Sequence, residues 1–292
     1  MKRPRYRVNR IFMAMLPAAL FFLCQNPALA KCANDWLSID EIRNGDSVEL
    51  RATNYQEYPI TYSVRVYTGR KSRGKPRMVR SDTLEGQETQ RVMVPNDGGE
   101  ISNDDIRIRC SWTIGSKDAT HDNDHLYLLP YASGMSYRVL QGFGSRFSHR
   151  GVEQFAVDFN MPVGTPVHAA RGGTIVRVEE SNDKGCWEDG CGAYANFIVV
   201  MHDDGTTGEY YHLAKDGALV EVGDRVFAGQ KIALSGNTGH TALPHLHFAV
   251  YRATTSARSQ SIPISFISSD GIVYKPRRGQ HYLAVARQNA GD

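Results

Sequence analysis

Pro244-His245-Leu246-His247-Phe248 is the stretch on which the reading of the chain turns. From His245 to Tyr251 the residues alternate with strand period. His245, His247, Ala249 and Tyr251 point one way, and Leu246, Phe248 and Val250 point the other. In an extended chain the two imidazoles then share a face, with Cα atoms roughly 6.5–7 Å apart. One can hold a metal while the other reaches the water beside it. An isolated His-x-His is more often a pair of histidines solvating an open sheet face, so the assignment depends on what surrounds it.

The chain opens with Lys2, Arg3, Arg5, Arg7 and Arg10, then an apolar run from Ile11 to Leu23, then Asn26 to Ala30 ending in an Ala-x-Ala pattern. This is the form of a secretory signal peptide over residues 1–30. The apolar run is shorter than the roughly 20 residues a membrane-spanning helix needs, so no stable membrane insertion is expected. Removing the five basic residues takes the formal charge from +3 to −2, which leaves nothing favouring nucleic acid. The expected location is periplasmic or secreted. Four cysteines then remain (Cys32, Cys110, Cys186, Cys191), an even count that suggests two disulfides in an exported protein. Cys186 and Cys191 bracket a turn-like loop and pair locally, leaving Cys32 with Cys110.

Residues 31–125 carry short alternating segments: Ser47 to Ala52, then Ile60, Tyr62, Val64 and Val66, then Val92 and Val94, then Ile106, Ile108 and Cys110. Turns such as Asn96 to Gly99 and a basic loop from Gly69 to Arg80 separate them. The reading is a β-sandwich of immunoglobulin-like type without catalytic groups. His121 to His125 reads as a polar linker. From Leu126 the chain is glycine-punctuated and rich in short strands, with no long helix, so residues 126–255 read as a compact antiparallel-β domain and the whole chain as all-β. Within it, Gly208 to Leu213 is expected to place Tyr210 and His212 on one face. Residues 256–292 read as a closing hairpin or edge extension followed by a disordered tail.

Zinc enzymes commonly use three protein ligands and leave one position to water. His149, Asp158 and His247 meet that demand, with His212 and His245 left to move protons. Spacing alone does not select this set from ten histidines. The motifs FSHRG…FAVDF, GTPVHAARGGTIVRV, GEYYHL, VGDRVFAGQKIALSGNTG and PHLHF, between about residues 137 and 252, resemble the lysostaphin/LytM family of zinc metallopeptidases, which cut peptide bonds in bacterial cell walls. The resemblance implies one zinc per chain on His149, Asp158 and His247. It implies catalytic roles for His212 and His245, a metal-activated water as nucleophile, and peptidoglycan peptide stems as substrate.

One departure stands out. The common family pattern sets His and Asp four residues apart, whereas His149 and Asp158 are nine apart, and Glu153 occupies the fourth position as a rival ligand. Asp158 is preferred because it lies on a strand and precedes PVGTPV. His240 is expected to line the cleft and Arg146 to contact substrate carboxylates; His168 reads as structural and His202 as part of a turn. Two other readings compete: a catalytically inactive relative that binds wall or activates another hydrolase, and a biotinyl- or lipoyl-type carrier domain. All five candidate positions are filled, which favours activity. No lysine sits at the hairpin tip that a carrier requires.

Overall fold

The structure, a computed structural model, describes residues 29–45, 47–68, 75–95 and 106–286. Most of the expected signal peptide, the Asn96 to Gly99 turn, the first part of the basic loop and the last six residues lie outside them. Among the described residues the chain is all-β, with two single-turn 3-10 segments, Gly151–Glu153 and Cys191–Tyr194, as its helical content. No helix there is long and apolar enough to cross a membrane.

The alternation between residues 37 and 114 builds two sheets around one core. Leu29–Ala33, Leu37–Asn44, Ser47–Asn54 and Thr89–Val94 form the first; Met78–Leu84, Ile60–Tyr67 and Arg107–Ile114 form the second. In Ser47–Asn54 every second residue is buried, as one inward face demands. Leu37, Ile39, Leu50, Ile60, Tyr62, Val64 and Leu84 fill the space between the sheets. A disulfide between Cys32 and Cys110 ties one sheet to the other, and Trp36 stacks on Trp112 beside it at 5.2 Å. The first strand begins at Leu29, two residues ahead of the expected cleavage point.

Beyond residue 126 a nine-stranded sheet dominates. Its path runs Arg225–Val226, Gly173–Glu179, Phe197–Met201, Thr207–Tyr211, Leu246–Ala253, Val157–Phe159, Ser136–Gln141 and His281–Leu283, with Ser259–Ser261 pairing alongside Leu246–Ala253. A three-stranded sheet (Pro166–His168, Lys231–Ser235, Leu213–Ala218) covers one face. Phe159, Ile198, Tyr210, Ile232, Leu246, Phe248 and Val250 fill the layer between them. Each large apolar side chain buried there contributes roughly 1.5–3 kcal/mol. The opposite face of the large sheet is left open around residues 141, 158, 211 and 247. Ser265–Ser268 forms a hairpin with Gly271–Val273 and pairs in parallel with Leu126–Leu128.

The two sandwiches meet through an apolar patch, in which Tyr58 and Ile114 pack against Val176, Val199 and Met201, and through polar contacts. Thr113 Oγ1 lies 2.6 Å from Ser259 Oγ, and the His121 ring 3.3 Å from Asp204 Oδ2, which also accepts a hydrogen bond from Arg171 at 2.6 Å. His121, His125 and His202 surround the buried Tyr127 ring, so the segment read as a plain polar linker is packed. His202 is 2% exposed; its Nδ1–H donates to the Gly172 carbonyl at 2.9 Å, and its Nε2 has no partner.

Burial pushes the His202 pKa down to about 4, against roughly 6.5 in an unfolded chain. Between these values the unfolded chain binds the extra proton. The contribution is therefore complete above about pH 6.5 and is lost as pH falls toward 4, on the order of 3 kcal/mol in all. Denaturant unfolding of His202→Asn should show a shallower loss of stability from pH 7 to pH 4 than the parent chain. An equally steep loss in both would contradict the assignment.

Candidate active site

Strand register assembles the site. Asp158 is the cross-strand partner of both Gln141 and His247, and His247 is in turn the partner of Tyr211. Gln141, Asp158, His247 and Tyr211 therefore form a row across four adjacent strands. Their sequence neighbours Val157, Phe159, Leu246, Phe248 and Tyr210 enter the core on the other side. A slip of one residue in any of these strands would turn its member of the row toward the core.

His149 arrives from the loop after Ser136–Gln141 and is 1% exposed. Its Nδ1 lies 3.2 Å from the Gly142 carbonyl, to which it donates. Gly142 has no room for a side chain, since a Cβ there would stand 1.9 Å from the Pro276 carbonyl oxygen. With Nδ1 as the donor, Nε2 carries a lone pair. It has no hydrogen-bond partner, yet it sits 3.2 Å from Asp158 Oδ1. His247 approaches the same oxygen with Nδ1 at 2.9 Å, and its far nitrogen, Nε2, is 3.4 Å from Tyr251 Oη. The other Asp158 oxygen accepts from Gln141 Nε2 at 2.6 Å.

Imidazole nitrogens converging on a buried anionic oxygen call for positive charge among them, as ring protons or as a bound cation. Burial opposes a charge on Asp158, but the close imidazoles of His149 and His247 and the charges of His247 and His245 hold its carboxyl well below the usual range. Burial likewise opposes charge on His247, but Asp158 and Glu153 hold its pKa up at about 10, so Nδ1 keeps a proton toward Asp158 that a bound cation would replace. Two imidazole nitrogens and one carboxylate oxygen within 4.8 Å of one another suit a zinc-type ion. The orphaned His149 Nε2 is the observation that makes the residues fit such a group.

His212 and His245 flank this cluster with rings 4.5 Å apart. His212 Nδ1 donates to the Thr238 carbonyl at 2.7 Å and His245 Nδ1 to the Leu243 carbonyl at 2.8 Å, so both Nε2 atoms carry lone pairs. His245 Nε2 lies 3.9 Å from Asp158 Oδ1. Burial, reinforced by the charges of His245 and His247, pushes the His212 pKa down to about 3, and burial lowers that of His245 as well. The expectation that Tyr210 and His212 share a face fails. The strand ends at Tyr211, and His212 has φ +64°, a left-handed conformation that turns its ring into the cleft while Tyr210 enters the core.

The cleft beside these residues has a volume of about 340 Å³, and every residue lining it lies between Arg138 and Arg278. Its rim is a run of rings, with Phe147 stacked on Trp187 at 5.5 Å and Trp187 on His240 at 4.3 Å. His240 thus lines the cleft, as expected. The arginines that do so are Arg138 and Arg278 rather than Arg146. Glu153 is absent from the ligand cluster; its carboxylate instead lies 3.6 Å from His247 Nε2, on the far edge of that ring. Sequence reasoning missed Gln141 and Trp187, and placed Tyr251 on the face of His247 without giving it a role. Gln141 carries no signal short of register, whereas an aromatic inside a disulfide loop was a usable hint. Cys186, Glu188 and Cys191 also cluster, but the two sulfurs are joined in a disulfide and offer no thiolate.

Residues 152–259 match the family model Peptidase family M23, which marks an M23-type domain within the chain. The match begins just after His149 and includes Asp158, His212, His245 and His247. The chain is similar to glycyl-glycine endopeptidase ALE-1 of Staphylococcus capitis, 39% identical over 138 residues, 47% of this chain and 35% of the relative. It is 32% identical over 141 residues to peptidoglycan DD-endopeptidase ShyA of Vibrio cholerae, 46% of this chain and 30% of the relative. Among solved structures it is similar to the catalytic domain of lysostaphin from Staphylococcus simulans, at 35% identity and TM-score 0.33, covering 43% of this chain and 88% of that one. The chain spans about a third of the length of these curated relatives.

Contacts outside the ligand set are commonly worth about 10–100-fold in metal affinity. Removing a ligand itself, in His149→Ala or Asp158→Ala, should therefore weaken zinc binding by more than about 100-fold. Zinc content after gel filtration measures this; stoichiometric zinc in either variant would contradict the assignment.

Proposed function

We propose that the chain is an exported, zinc-dependent endopeptidase that hydrolyses peptide cross-links of bacterial peptidoglycan. The observation that carries this reading is the convergence of His149 Nε2 and His247 Nδ1 on Asp158 Oδ1. His149, Asp158 and His247 would hold the metal. When bound, zinc supplies a Lewis acid that acidifies water and polarises a peptide carbonyl. His212 and His245 offer bare Nε2 atoms to the cleft. Between them they take the proton of the attacking water, donate to the developing oxyanion and return a proton to the leaving amine.

The two disulfides support an oxidising, extracytoplasmic setting. The names of the similar proteins, a glycyl-glycine endopeptidase and a peptidoglycan DD-endopeptidase, support wall peptides as substrate. Residues 31–125 would form a separate sandwich that orients the enzyme on the wall. No described residue before Arg138 lines the cleft, which supports orientation over covering.

Purified sacculi incubated with the protein should release cross-link peptides identifiable by mass. Chelator should stop the release and zinc restore it. His245→Ala and His212→Ala should keep their zinc but lose about 10²–10⁴-fold in rate, the usual worth of a proton-transfer group. Digestion that is indifferent to chelator, or undiminished in both variants, would overturn the proposal.

A further inference from the structure

We infer that Glu153 and Tyr251 are positioning residues that lock His247 in the tautomer and orientation its metal role requires; this rests on the proposed metal centre. Tyr251 Oη donates to Glu153 Oε2 at 2.5 Å and lies 3.4 Å from His247 Nε2, which itself is 3.6 Å from the same carboxylate oxygen. A proton on Nε2 is thus held by the phenol oxygen with the carboxylate charge just behind it, so that Nδ1, which donates to Asp158 here, is free to give up its proton and offer a lone pair to a metal ion. Ala249, the residue between His247 and Tyr251 on that face, is small and buried, and leaves the space the phenol occupies.

The carboxylate comes from the additional residues between His149 and Asp158, and that segment is fastened down. Phe155 N donates to Ser261 Oγ at 3.0 Å, and Gln260 Nε2 to the Gly151 carbonyl at 2.9 Å. Glu209, the other carboxylate facing this side, is engaged separately by Thr207 and Tyr211. The lengthened spacing in the sequence therefore carries an outer contact for the second histidine of His-x-His. Glu153 cannot double as a ligand to an ion on Nδ1, because it sits on the opposite edge of the ring.

The test uses the full chain, stripped of metal and titrated with zinc against a chromophoric chelator. Glu153→Gln and Tyr251→Phe should each weaken zinc binding by about 10-fold or more. The double variant should be little weaker than the worse single one, since the two act as one relay. In the zinc-loaded parent, nitrogen-15 spectra should show His247 protonated at Nε2 with a slowly exchanging proton, and Glu153→Gln should speed that exchange. Thermal unfolding should change little in Glu153→Gln, because glutamine still accepts from Tyr251 and the loop anchors remain. Zinc affinity within twofold of the parent in both single variants, or an unaltered Nε2 proton, overturns the inference. A parent chain that takes up no zinc overturns the metal centre itself, and this inference with it.

Discussion

A single carboxylate oxygen, Asp158 Oδ1, has imidazole nitrogens of His149, His247 and His245 at 3.2, 2.9 and 3.9 Å. The outward nitrogen of each ring is occupied elsewhere: by the Gly142 carbonyl, by Tyr251 with Glu153, and by the Leu243 carbonyl. His212 follows the same rule through the Thr238 carbonyl. For His149, His245 and His212 the tautomer chosen from outside leaves a lone pair inside, and a buried carboxylate among them calls for positive charge.

That arrangement makes demands on the fold. Three of the outward acceptors are backbone carbonyls in loops, so those loops must be rigid. The Gly142 turn is pressed against Pro276, and the segment before His245 is stitched by Thr241 to Asn237 and Leu243. Asp158 and His247, in contrast, are neighbours by strand register, fixed by the apolar residues beside them entering the core. The sheet thus brings two of the candidate ligand atoms together at once, and loops bring the third and the imidazoles of His212 and His245. The left-handed backbone at His212 is local strain that the surrounding sheets offset.

Much of this was legible in the chain. Alternation over Ile60 to Val66 and over Leu246 to Val250 marks the buried faces because burial in a sheet has period two. The cysteine pairing followed from count and local spacing. The His-x-His pair and the FAVDF strand announced themselves, although only a family resemblance joined them to His149. Other features depend on information no local pattern holds. Gln141 reaches Asp158 through pairing of strands distant in sequence, and alternation puts Tyr251 on the face of His247 without showing that its long side chain spans Ala249 to reach the ring. His212 faces the cleft because the chain leaves the extended region there. Spacing singled out Glu153 for the wrong reason: four residues after His149 it occupies a ligand's place in the sequence, but the inserted loop swings it to the far side of His247.

Locating a bound zinc ion by anomalous scattering at its absorption edge tests the central claim most directly. The account predicts one peak per chain, about 2.0–2.2 Å from His149 Nε2, Asp158 Oδ1 and His247 Nδ1, with Glu153 outside coordination distance. A peak coordinated by Glu153 in place of Asp158, or none within reach of these three atoms at saturating zinc, would contradict it.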